Sequence, residues 1–150
     1  MSNDIYKTNQ LQIVSVKLPN ECIVVRLMGV LDSSSVLELE SAVKQWLDKG
    51  IVHFVFDLSG ITQLTSSGAG FFINLHRILC DHRGVLLFTQ PSEIVKEIFD
   101  LLGLTLCINI VPDLQTGRAI MNKITQGERI KDIKIGWSSA EKIVDKRVNE

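Results

Sequence analysis

The sequence predicts an α/β domain built on a mostly parallel sheet, and three observations carry that reading. Two apolar runs, 11–18 and 22–28, are joined by the turn residues Pro19 and Asn20, as in a hairpin. Beyond them, nearly continuous β-branched and aromatic runs alternate with segments of helical period. That is the pattern of strands covered on both faces. Glycines and prolines stand where each segment should stop. The expected order is β-β-α-β-α-β-α-β-α, with right-handed crossovers between parallel strands.

The first strand carries Leu11, Ile13 and Val16 as its apolar residues. The second, "CIVVRLM", is more deeply apolar and is expected to end at Gly29. In "LDSSSVLELESAVKQWLDKG", Val36, Leu39, Val43, Trp46 and Leu47 recur on one helical face. Serines 33–35 are placed to supply its N-cap, and Gly50 to stop it. "IVHFVFDL", 51–58, is a strand of the doubly covered type that Gly60 should break. A second helix is expected from Ser66 to about Leu79, with Phe72, Leu75, Ile78 and Leu79 apolar. Gly84 precedes the short buried strand "VLLF". "PSEIVKEIFDLLG" predicts a third helix with Pro91 near its start, Gly103 at its end, and Ile94, Ile98 and Leu101 facing inward. "TLCINIV" reads as the last strand. Pro112 and Asp113 then open a helix to about Ile124, with Ile120 and Ile124 on the core side.

With 150 residues, 45% of them hydrophobic, the chain can bury a core without disulfides or metals. A net charge of -1 recruits neither nucleic acid nor an acidic membrane. Cys22, Cys80 and Cys107 are scattered, without CxxC spacing, and fit reduced thiols in a reducing cytoplasm. "MSNDIYKTNQ" has no apolar signal core, and no run reaches the roughly 18 apolar residues of a membrane helix. A soluble cytoplasmic protein is expected. The texture changes late in the chain: residues 127–150 hold six basic and five acidic residues. The domain is therefore expected over 1–126, with a charged extension over 127–150. There, Lys131, Ile133 and Ile135 suggest a short strand, Ser139 to Val148 a polar helix, and Trp137 an anchor on the domain or an oligomer contact.

The stretch "QLTSSGAGFF", at the passage from strand to helix, is the candidate for chemistry. A nucleophile elbow needs glycine two residues before the serine, but Leu64 precedes Ser66 and Thr65 precedes Ser67 at that distance. A phosphate-binding loop needs a lysine that is missing between Gly60 and Phe72. The dinucleotide fingerprint begins at Gly68 and Gly70 but meets Ile73 where its third glycine belongs. His53, His76 and His82 are too dispersed for a metal site. No enzyme constellation is complete and no cofactor is called for. Two readings stay open. One is a plain helix N-cap. The other is a phosphorylation switch, because a helix N-terminus accommodates added negative charge that a partner's surface can reject.

The segments "VVRLMGVLD", "DLSGITQLTSSGAGFF", "RGVLLFTQPSEIVKEIFDLLGL" and "VPDLQTGRAI" resemble the STAS domain, most of all the bacterial anti-sigma factor antagonists. The resemblance covers about residues 10 to 125, and its most specific part is the DLSG element followed by SSGxG. It implies a sheet of four to five strands with helices mainly on one face. It also implies partner switching. The unphosphorylated antagonist binds a serine kinase of the histidine-kinase-like ATPase superfamily. Phosphorylation of the first hydroxyl after the family's Asp, here Ser66, releases it, and a PP2C-type phosphatase restores binding. This chain has Thr65 where the family usually has Asp, which adds an alternative acceptor hydroxyl. The same resemblance assigns contact or loop-ordering roles to Asp32 and Ser59. It makes Thr65, Ser67, Gly68 and Gly70 part of the docking surface. A homodimer, a scaffold in a signalling complex and a STAS subunit of a lipid-export transporter are the other roles it allows.

Overall fold

The structure, a computed structural model, describes the backbone of residues 3–7 together with residues 10–106 and 108–130. Six strands form one sheet in chain order: β1 (Asn3–Lys7), β2 (Leu11–Leu18), β3 (Cys22–Leu31), β4 (His53–Leu64), β5 (Val85–Thr89) and β6 (Asn109–Val111). β1, β2 and β3 pair antiparallel. β3 to β6 run parallel. Between the parallel strands lie α1 (Val36–Asp48), α2 (Ser66–Asp81) and α3 (Glu93–Leu101), and α4 (Leu114–Thr125) follows β6. The five expected strands are present. The sixth, β1, is short and largely polar, and its pattern carries no strand signal of its own.

Helices α1, α2 and α3 share one face of the sheet. Their residues Leu39, Val43, Trp46, Phe72, Leu75, Leu79, Val95 and Phe99 pack with Ile13, Val25, Leu27, Phe54, Phe56 and Phe88. Four rings hold the centre: Phe72 meets Phe56 edge-on at 5.2 Å and Phe88 edge-on at 4.8 Å, and Phe88 stacks on Phe99 at 4.9 Å. Burying each such side chain contributes about 1.5–3 kcal/mol. α4 takes the opposite face, setting Ile120 and Met121 against Cys22, Val24, Val55, Leu87 and Val111. Burial pushes the Cys22 thiol up to about 11, so it stays protonated at neutral pH.

Four local expectations are corrected. β3 does not stop at Gly29, nor does β4 break at Gly60. Register shifts between Arg26 and Met28 and between Gly29 and Val30 absorb the irregularity, and the strands continue to Leu31 and Leu64. α3 buries Val95 and Phe99, while Ile94 and Leu101 are 55% and 84% exposed. The stretch read as one last strand divides into a 3-10 turn at Leu104–Leu106 and the short β6. The suggested strand and helix after Lys131, Trp137 and Cys107 lie outside the described residues.

Candidate functional site

The extra length of β3 and β4 sets up the site. Their last residues, Leu31 and Leu64, are direct partners in the parallel ladder. Each strand then turns into a helix. The loop of Asp32 to Ser35 enters α1, and Thr65 enters α2, so the two loops start side by side.

Asp32 organises the first loop. Its Oδ1 accepts from the N–H groups of Ser34 and Ser35, both at 3.0 Å, and from the Ser34 hydroxyl at 3.0 Å. The Gln10 amide nitrogen donates to Oδ2 at 2.9 Å. The Ser35 hydroxyl accepts the Asp32 N–H at 2.9 Å and donates to the Val30 carbonyl at 2.7 Å. The Ser35 N–H, opposed by burial and helped by Ser34, holds the Asp32 carboxyl below the usual carboxylate range. The expected serine N-cap of α1 is thereby corrected: Ser35 stands in the cap position, but its side chain makes no cap bond. Asp32 serves the loop instead.

The second loop is held through the backbone. The Thr65 N–H donates to the Leu31 carbonyl at 3.1 Å, and the Thr65 hydroxyl makes a longer contact with the same oxygen at 3.5 Å. Thr65 occupies the N-cap position of α2 with extended backbone, and no side chain caps the helix. The plain-cap reading of the serine run is therefore not realised. α3 and α4 are capped, by Ser92 accepting from Val95 N–H at 3.4 Å and by Asp113 accepting from Thr116 N–H at 2.7 Å. In α2 the first-turn N–H groups lack such an acceptor, an arrangement that favours an anion.

Ser66 and Ser67 are exposed in that first turn. Gly68 is buried, and a Cβ there would lie 2.7 Å from Leu64 Cδ1 and 2.9 Å from Leu31 Cγ. Gly70 differs: it is exposed, and a Cβ would meet nothing within 4 Å. The fold needs the first glycine and not the second.

Ser59 lies earlier on β4. Its N–H and hydroxyl both donate to Asp57 Oδ1, at 3.0 and 2.8 Å, while Asp57 Oδ2 accepts from Arg26 Nε at 3.0 Å. Five residues of strand separate Ser59 from Leu64, roughly 17 Å at an extended rise. Asp32, Thr65, Ser66, Ser67 and Gly68 are brought together, and Ser59 belongs to a second polar cluster with Asp57 and Arg26. Leu31 was not singled out in the sequence. Its role rests on a carbonyl and on packing, which no side-chain motif announces. Among the described residues, no group of three or more His, Cys, Asp or Glu is placed to hold a metal ion. No helix there is long and apolar enough to cross a membrane.

The model of the STAS domain matches residues 14–117. The chain belongs to the STAS domain family. The matched span runs from β2 into α4 and includes both loops of the site. Among characterised STAS relatives, the anti-sigma F factor antagonist of Lysinibacillus sphaericus is 28% identical over 85 residues, covering 56% of this chain and 73% of that protein. Among solved structures, the anti-sigma factor antagonist SpoIIAA in its unphosphorylated form superposes with a TM-score of 0.64 at 18% identity, covering 78% of this chain and 99% of that one. The Bacillus cell fate determinant SpoIIAA in its phosphorylated form superposes at 0.58 and 18% identity, covering 75% and 98%. At these identities the solved structures establish the shared STAS fold. The mixed sheet with three helices on one face is the architecture the sequence led us to expect.

Proposed function

We propose that this STAS domain is an anti-sigma factor antagonist, a protein-binding module switched by phosphate on Ser66. The observation that carries the reading is the Ser66 hydroxyl, exposed in the uncapped first turn of α2. The names of the relatives support the antagonist role, and one structural neighbour is described as a phosphorylated form.

Unphosphorylated, the first turn of α2 and the Asp32 loop form a docking surface for a serine kinase of the histidine-kinase-like ATPase superfamily. Ser66, Ser67 and the open side of Gly70 present small groups there, so a partner can approach the helix closely. The kinase transfers the γ-phosphoryl group of ATP. A bond forms from Ser66 Oγ to phosphorus, the bond to the ADP oxygen breaks, and the hydroxyl proton is released. The product adds a charge of about -1.5 to -2 to the middle of the contact. The free N–H groups and the helix dipole tolerate that charge within the domain, while the partner loses a neutral surface. A PP2C-type phosphatase reverses the step with water. The module itself performs no catalysis, and its site of action is the cytoplasm.

The test is a pull-down with the cognate kinase. Wild-type protein should retain it and Ser66→Asp should not. Equal retention by both proteins would overturn the reading.

A further inference from the structure

The two faces of the sheet are covered unequally. α1, α2 and α3 cover one face, whereas on the other α4 alone packs, chiefly on β3 and its parallel neighbours, among the described residues. Among the described side chains beyond it on that face are Val14, Val16 and Met28, all half-buried. They line a groove of about 240 Å³ with Val24 and Leu114, and the Arg26–Asp57 ion pair sits midway along it, opposite Val14. The groove is apolar on either side of that pair, and its one buried charge, Asp57, is already partnered.

We infer that this groove is the docking site of the chain's own C-terminal segment, through Ile133, Ile135 and Trp137. Three features of the chain point to that occupant. Ile130, the last described residue, packs on the cluster formed by α4 and this face of the sheet. Val24 and Leu114 border both that cluster and the groove, so the described chain ends on the same face of the sheet as the groove. The sequence that follows, "KDIKIGW", places Ile133, Ile135 and Trp137 at every second position, with Lys134 and Gly136 between them. In extended conformation that alternation puts the three apolar side chains on one side and the lysine on the other. The seven residues span up to about 23 Å when extended, comparable with the eight-residue β2 that forms the groove wall. A bulky aromatic and two β-branched side chains match the valines, methionine and leucine that flank the ion pair in the groove wall.

Tryptophan fluorescence of the full chain tests this. Trp46, on the inner face of α1, is buried, so the difference between wild type and Trp137→Phe isolates the emission of Trp137. The expected result is a blue-shifted Trp137 that is protected from acrylamide. Val16→Lys and, separately, Met28→Lys should shift that emission to the red and remove the protection, while far-UV circular dichroism stays unchanged. Val14→Thr, a milder change on the same wall, should weaken the protection without endangering the fold. A Trp137 that emits as in water in the wild type would overturn the inference. So would a blue shift that survives all three groove variants, since the segment would then dock elsewhere. A blue shift that vanishes on dilution would also overturn it, because the groove would be filled by a second copy of the chain.

Discussion

Thr65 is tied to Leu31: its N–H donates to the Leu31 carbonyl at 3.1 Å, and its hydroxyl rests 3.5 Å from the same oxygen. The contact turns the Thr65 side chain toward β3, whereas Ser66, one residue on, is exposed. The geometry therefore separates the two acceptor hydroxyls that the sequence left as alternatives. Phosphopeptide mapping of protein from its native cells should find phosphate on Ser66. Ser66→Ala should abolish it, and Thr65→Val should leave it in place. Phosphate on Thr65 would mean that the loop rearranges in the kinase complex.

The two glycines of the SSGAG element should respond in opposite directions. An added methyl at Gly68 runs into Leu31 and Leu64, including the Leu31 carbonyl at 3.0 Å. Gly68→Ala should therefore destabilise the fold by about 1–3 kcal/mol. Gly70→Ala fills open space in a helix and should stabilise by up to about 1 kcal/mol. If Gly70 leaves room for a partner, the same variant should also bind the kinase less well. Urea unfolding and kinase pull-down on the two variants give both comparisons. A neutral Gly68→Ala would show that Leu31 can move aside.

What the sequence revealed and what it concealed follow from the kind of force involved. The start of α2 at Ser66 was legible because a strand of apolar residues gives way there to small polar ones, and the helix follows with apolar residues Phe72, Leu75 and Leu79. The first half of β4, His53–Leu58, and β5 were legible because their side chains are buried on both faces of the sheet, apart from the half-buried Val85. The ends of β3 and β4 were not. Gly29 and Gly60 look like stops, yet a register shift lets the ladder pass them. In α3, Ile98 packs on the core as its helical period suggests, but Ile94 and Leu101 fit that period as well as Val95 and Phe99 do, and only the position of the Phe72 and Phe88 rings decides between them. The grouping of Asp32 with Thr65 and Ser66 depends on the pairing of Leu31 with Leu64, a contact between residues far apart in sequence.

Acid should destabilise the protein partly through Asp32 and Asp113. Both carboxyls are held below the usual carboxylate range, Asp32 first by the N–H of Ser35 and Asp113 first by the N–H of Thr116. A folded-state pKa below the unfolded one means that the native state binds the proton less readily. Each group then adds stability that is fully present above the unfolded value and is lost as pH falls through the lowered one. Asp113→Asn and Asp32→Asn should each lower the urea midpoint at neutral pH. The double variant should show a flatter decline toward acid than the wild type. An acid limb of unchanged slope would place the titration on other carboxylates.

The two faces of α3 supply the last prediction. Phe99 is fully buried, stacked on Phe88 at 4.9 Å and close to Phe72 at 6.4 Å. Phe99→Ala should cost about 3–5 kcal/mol, because the ring cluster is fixed from both helix and sheet and cannot collapse into the cavity. Leu101 is 84% exposed, and Ile94 on the same helix and Leu102 just after it are also exposed. Leu101→Gln should change stability by no more than about 0.5 kcal/mol and should raise solubility by breaking an apolar surface. Thermal unfolding of both variants checks the pair. A large loss in Leu101→Gln together with a small one in Phe99→Ala would mean that α3 turns its other face to the sheet, as the helical period alone first suggested.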